Sequence, residues 1–286
     1  MQPETDVELI STGGQIHRVR FTSAGGIQIL SEDVCRKLTQ ILKLVAKHPP
    51  RILVFEATGR TFLAGAELRE LAALDRRAAR RYSRRGQKLF RKIAELPCLT
   101  VAAIHAACAG GGCELSLACD FRFLAETARI GLPEVTLGII PGWGGAARAV
   151  RVLGPVAARR LILSGELLQA SEAWQIGLAD AVFPTKEFLE SVDSRLQRLL
   201  RCAPGAIATA KRFLAEGHHL DLTDLLAEES RLFARCYSTP EPAEGIAAFL
   251  QKRDAVWPAL GDDDKTAGEQ SPRDSGETEA RQSEPS

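Results

Sequence analysis

The sequence predicts an α/β first half built on a parallel sheet, followed by a mainly helical second half. Three observations carry this. The short apolar runs 51–57 and 99–104 read as strands buried on both faces, with a long helical pattern between them, the order a parallel sheet requires. Beyond residue 146 the apolar spacing is three and four almost throughout. Finally, 45% apolar residues over 286 supply a large core, while no apolar run approaches the ~18 residues of a membrane span.

In chain order, Glu8–Ile10 and Ile16–Phe21 form an antiparallel start. Val34, Leu38, Ile41, Leu42 and Val45 then keep helical spacing from a Ser31 N-cap to Lys47, and Pro49-Pro50 stops the helix. The strand 51–57, the helical segment 76–92 and the strand 99–104 follow. A helix from Gly112 to about Cys119, a strand over 121–124 and a glycine-rich turn region over 131–145 complete the first half. In the second half, Ser171 reads as the N-cap and Gly177 as the C′ residue of the helix carrying Trp174. Amphipathic stretches at 186–201, 205–216, 222–237 and 242–253 come after it, and no internal repeat is visible.

The 37 basic and 36 acidic side chains give a net charge of +1 that sums unlike parts. Residues 261–286 hold eight acids and three bases, and their only apolar residues are Ala267 and Ala280, too few to offset ordering, so a disordered acidic tail is expected. Residues 76–92 hold nine Arg or Lys and no acid. On a helical wheel all nine share one half-circle, opposite Ala78, Tyr82, Leu89 and Ile93 with Gly86 between them. Such a face is either solvated or meets an anion, a phosphorylated ligand or a nucleic acid. The start Met1–Asp6 lacks the basic and apolar regions of an export signal, so a cytoplasmic protein is expected. Seven cysteines without a C-x-x-C pair and five scattered histidines predict core thiols and no metal.

The chemistry concentrates where a strand ends near Ile104. Gly110-Gly111-Gly112 precedes a helix bearing Cys113 and Glu114. Glycines at a helix start let a ligand approach unpaired amides and the positive end of the dipole, which is how an oxyanion is held. Neither this cluster nor Gly142-Trp143-Gly144-Gly145 has nucleotide-binding spacing, and no G-x-S-x-G elbow occurs. Glu114 and Glu134 lie in apolar stretches, where desolvation raises a carboxyl toward the range useful for proton transfer. From the residues alone, structural ion pairing remains the commoner explanation of such carboxylates.

Three segments resemble the enoyl-CoA hydratase/isomerase, or crotonase, superfamily, over about residues 8–258. Phe62-Leu-Ala-Gly-Ala-Glu-Leu-Arg-Glu70 is similar to the family's F-x-A-G-A-D-hydrophobic-K/R-E, Gly110-Gly-Gly-Cys-Glu-Leu115 to its G-G-G-C-E-L, and Pro133-Glu134 with Gly138-Ile-Ile-Pro-Gly142 to its P-E-x-x-x-G-x-x-P-G. The resemblance implies an α/β fold with a crotonase-like ββα spiral core and a helical C-terminal trimerisation region, about 200–258 within a catalytic domain spanning 6–258. It implies an enoyl-CoA hydratase acting on an acyl-CoA thioester, with coenzyme A as part of the substrate, no separate cofactor, and a homotrimer or homohexamer. Ala66 and Gly111 would supply the oxyanion-hole N–H groups, and Glu114 and Glu134 the catalytic carboxylates. Ala64, Glu67, Leu68, Arg69, Pro133, Pro141, Gly142, Trp143 and Lys252 match substrate or CoA contacts.

Retention of both glutamates favours hydration, since family members resembling isomerases work with a single glutamate at the position of Glu134. Isomerases and other acyl-CoA enzymes of the superfamily stand as alternatives. One hydratase subfamily also binds RNA, through a lysine comb on the first helix. Here the cations follow the oxyanion motif instead, so nucleic acid is not the expected partner, and RNA binding through 76–92 stays an alternative. The sequence also departs from the family pattern. Thr22–Leu30 replaces the usual N-R-P-x-x-x-N-A-L, His105-Ala106 replaces Asn-Gly, and Glu67 replaces Asp. Trp143 stands where the residue is often small, either as a core aromatic or as a wall narrowing the acyl pocket toward short or branched groups.

Overall fold

The two buried runs become β3 (Ile52–Ala57) and β5 (Leu99–Ile104), which pair in parallel with Val54 opposite Val101. The computed structural model describes residues 4–257 apart from 12, 218 and 219, so the acidic tail expected at 261–286 lies outside the described residues. β1 (Asp6–Ser11) and β2 (Ile16–Thr22) form the antiparallel start, and β2 then pairs in parallel with β3. Between them α1 (Glu32–Lys47) starts where expected, with the Ser31 side chain accepting from the Val34 N–H, and it buries the five apolar residues that announced it.

A three-part path then recurs. β3 is followed by β4 (Thr61–Leu63), α2 (Leu68–Ala72) and α3 (Arg76–Ala94). β5 is followed by β6 (Ala107–Ala109) and α4 (Gly111–Ser116). β7 (Phe121–Ala125) is followed by β8 (Arg129–Gly131), a 3-10 turn at Pro133–Leu137 and α5 (Gly145–Ser164). Each first strand joins one sheet and each second strand another, which is the expected ββα spiral. The larger sheet runs β1-β2-β3-β5-β7-β10 and the smaller β4-β6-β8-β9, with β9 at Leu167–Gln169 and β10 at Ala181–Phe183. Phe21, Phe55, Phe62, Phe90 and Phe123 are fully buried in the core.

Several expectations need correction. β9 and β10 interrupt the half expected to be mainly helical. β9 pairs antiparallel with β8, and the helix carrying Trp174, α6 (Ala170–Gln175), has Gln169 rather than Ser171 as its N-cap, with the Glu172 carboxylate accepting from the Gln169 N–H at 3.0 Å. α4 begins one residue earlier than expected and ends at Ser116. The cysteines are all free; four are buried, but Cys35 and Cys236 are half-buried and Cys202 is exposed. α7 (Phe188–Leu199), α8 (Pro204–Glu216), α9 (Leu222–Cys236) and α10 (Glu241–Leu250) follow the expected spacing. Among the described residues no helix is long and apolar enough to cross a membrane.

Candidate active site

Because β4 and β6 run side by side, the segments that leave them share one edge of the smaller sheet. The first is fixed by two backbone bonds: Ala64 N–H donates to Gln28 O at 2.8 Å, and Leu30 N–H donates to Gly65 O at 2.9 Å. Ala66 thereby lies opposite Leu30 without its own N–H serving the Leu30–Gly65 bond. The second segment turns at Gly110, whose φ of +53° suits glycine; a methyl there would lie 3.2 Å from Glu134 Oε1 and 3.8 Å from Gly65 Cα. That contact brings residues 65, 110 and 134 together. Gly111 is the first helical residue of α4, so its N–H has no partner within the helix.

Two buried carboxylates meet this edge in different states. Glu114, 3% exposed, directs Oε1 to the N–H groups of Trp143 at 2.7 Å and Gly145 at 2.8 Å. Burial pushes its pKa up, while those two bonds and the nearby Arg148 guanidinium pull it back. Glu134, 9% exposed, has a buried Oε2 with no hydrogen-bond partner. Burial pushes its carboxyl up to about 7, opposed by a hydrogen bond from its own backbone N–H and helped by the Glu114 charge. Glu114 is clamped by two neighbouring amides, whereas Glu134 keeps a buried Oε2 without a partner.

Trp143 is the core aromatic of the first reading, and it also lines a cavity. Its ring packs on Tyr82 at 5.1 Å and edge-on to Phe90 at 5.6 Å, and a methyl on Gly111 would meet it at 3.2 Å. It also closes part of a cavity of about 390 Å³ between α1 and α3. Gly142 O accepts from the Ser83 hydroxyl at 2.6 Å and from Gln87 at 3.1 Å, tying the segment to α3. Pro141 is buried, Pro133 is half-buried at the start of the 3-10 turn, and Glu67 caps α2 by accepting from the Arg69 N–H at 3.0 Å. Ala64, Leu68 and Arg69 are exposed beside them.

Lys252 stands apart from this group. It is exposed just past α10, with φ of +54°, on helices joined by the Glu241 carboxylate accepting from Gly205 N–H and Ala206 N–H. Sequence reasoning missed Leu30, Tyr82 and Arg148. The last follows Gly144 by one helical turn, donates to Trp143 O at 3.2 Å, and could have been found from that spacing. Among the described residues no three His, Cys, Asp or Glu side chains group as a metal site.

With this geometry established, comparison with known proteins is direct. The family described as enoyl-CoA hydratase/isomerase matches residues 15–259. A crotonyl-CoA hydratase of Syntrophomonas wolfei is 35% identical over 79% of this chain and 88% of its own length. A 2,3-dehydroadipyl-CoA hydratase of Escherichia coli is 39% identical over 71% of this chain and 78% of its own. Among solved structures, an enoyl-CoA hydratase from Bacillus anthracis superposes with a TM-score of 0.82 at 30% identity, covering 88% of this chain and 98% of that one.

Proposed function

The chain belongs to the enoyl-CoA hydratase/isomerase family, and from that premise we propose that it adds water across the C2–C3 double bond of a 2-enoyl-CoA thioester. The observation that carries this reading is the pairing of the clamped Glu114 with Glu134, whose buried Oε2 has no hydrogen-bond partner, beside the Ala66 and Gly111 amides. Relatives named as hydratases of crotonyl-CoA and 2,3-dehydroadipyl-CoA support the reaction without choosing the acyl group.

The thioester oxygen accepts from Ala66 N–H and Gly111 N–H, where negative charge builds as the double bond is attacked. Each such donor is typically worth ~3–4 kcal/mol of barrier. Glu114, with Oε1 held by Trp143 N–H and Gly145 N–H, takes a proton from water as its oxygen bonds to C3. Glu134, whose raised pKa keeps it partly protonated near neutrality, delivers a proton to C2. A proton passing back from Glu114 to Glu134 restores both groups, so water is added without any external acid, base or separate cofactor. Ala64, Glu67, Leu68, Arg69, Pro133, Pro141 and Gly142 border the path of the thioester and its CoA. Phe249 is 83% and Phe233 65% exposed, which suits burial of α9 and α10 against sister subunits in a trimer or hexamer, where Lys252 would reach a neighbour's CoA.

Following loss of the conjugated absorbance of crotonyl-CoA tests the assignment. Glu114→Gln and Glu134→Gln should each lower kcat by roughly 10²–10⁴-fold. Near wild-type kcat in either variant overturns it, and isomerisation of a 3-enoyl-CoA that survives Glu114→Gln but not Glu134→Gln would mark an isomerase instead.

A further inference from the structure

We propose that the cavity between α1 and α3 receives the far end of the acyl chain and that this end is a carboxylate, making the substrate class 2-enoyl-CoA thioesters of dicarboxylic acids. The proposal rests on the hydratase reading for the thioester end and adds the chemistry of the other end.

The cavity, about 390 Å³, has an apolar inner wall formed by Leu30, Leu89 and Trp143. Leu30 and Trp143 also border Gly111, approaching a methyl placed there to 3.3 and 3.2 Å. The wall therefore continues from the amides that would hold the carbonyl, and Gly86 leaves room for the indole because a methyl on it would overlap that ring at 2.1 Å. An alkyl chain suits this lining.

The rim is different in kind. Arg36 and Lys43 reach it from α1, and Arg85, Lys88 and Lys92 from α3. Arg36 pairs with Asp33 and Arg85 with Glu32, while Glu70, the remaining acid of the lining, accepts from the Glu32 N–H at 2.9 Å. Lys43, Lys88 and Lys92 have no acidic partner among the described residues. Helical rise puts Lys88 about 3 Å and Lys92 about 9 Å along α3 from Gly86, within a short chain's span. A methyl-terminated chain would lay hydrocarbon against unpaired ammonium groups, whereas a carboxylate would meet them with charge-assisted bonds.

The test compares kcat/KM of the full chain for 5-carboxy-2-pentenoyl-CoA and for 2-hexenoyl-CoA, which share CoA and chain length. The carboxylated thioester should be preferred by about tenfold or more, the worth of one charge-assisted bond. In Lys88→Gln/Lys92→Gln that preference should collapse toward one, chiefly through KM. Equal kcat/KM in the wild type overturns the proposal. So does a double variant that lowers both thioesters by the same factor, since the lysines then serve CoA phosphates. Calorimetric titration with adipoyl-CoA and hexanoyl-CoA reads the same preference without turnover. Absence of all hydration would therefore defeat the hydratase reading while the binding ratio still decides this one.

Discussion

Glu114 and α3 both meet Trp143, yet the glutamate pair and the basic face of that helix are built on different terms. Glu114 is buried and held by two backbone N–H groups, so its position is part of the fold. On α3 the nine cations of residues 76–92 lie on an outward half-circle, and the ion pairs formed there are Arg85 with Glu32 and Arg91 with Glu95, both exposed. The difference teaches that one region acts through fixed geometry and the other through a field. Truncations in the first should damage folding and turnover together, and changes in the second should alter selectivity while leaving the fold intact.

The largest expected separation between the two regions comes from Glu114→Ala. It removes the acceptor of Trp143 N–H and Gly145 N–H, and each buried donor left unsatisfied costs about 1–3 kcal/mol. Urea unfolding should show a correspondingly lower midpoint, with Glu114→Gln much closer to wild type because the amide oxygen still accepts. Lys88→Gln/Lys92→Gln should stay within about ±0.5 kcal/mol of wild type, as exposed substitutions do. Equal midpoints for Glu114→Ala and the wild type would erase the contrast.

A pH series sharpens the comparison within the site. Glu134 is raised from 4.5 to about 7 by burial and by Glu114. Between those values the folded protein binds more protons than the unfolded chain, so the stability this group contributes is full below the unfolded value and is lost as pH rises through about 7. Wild-type Tm should therefore fall from pH 5 to pH 8 relative to Glu134→Gln, which lacks the titration. Hydration should weaken along the same alkaline limb as Glu134, the proposed C2 proton donor, ionises. A Tm difference independent of pH would remove Glu134 from its proposed role.

What could be read from the sequence follows the same division. β3, β5 and α1 were legible because burial on both faces, or on one helical face, leaves a period in the residues. Gly110–Gly112 and the two glutamates stood out as residue types in unusual company, although their roles came from the family resemblance. The smaller sheet was illegible: β4, β6, β8 and β9 have three residues each, too few to show alternation, and the threefold strand-strand-helix path left no sequence repeat. The Leu30–Ala66 bridge that positions the segment after β4 was hidden for another reason. It joins residues far apart in the chain, in a stretch that departs from the family pattern. The nine cations were plain in sequence, but what they face depends on α1 lying alongside α3, a contact that no local pattern contains.

The smallest predicted effect divides α3 itself. Its first turn carries Arg76 and Arg77 and no acid, with the Asp75 N-cap as the acidic group at that end. Positive charge at a helix N-terminus opposes the dipole, and like charges four residues apart, Arg76 with Arg80 and Arg77 with Arg81, oppose it further. Arg76→Glu/Arg77→Glu should therefore raise stability by about 0.3–1 kcal/mol per site, readable as a small increase in Tm. Arg76 lies about 15 Å along the axis from Gly86, so the preference between carboxylated and neutral thioesters should not move. If the double variant instead weakens both thioesters alike, the N-terminal half of α3 faces the phosphates of CoA while Lys88 and Lys92 face the acyl end. If it weakens neither, the cations that act are confined to the part of the helix lining the cavity.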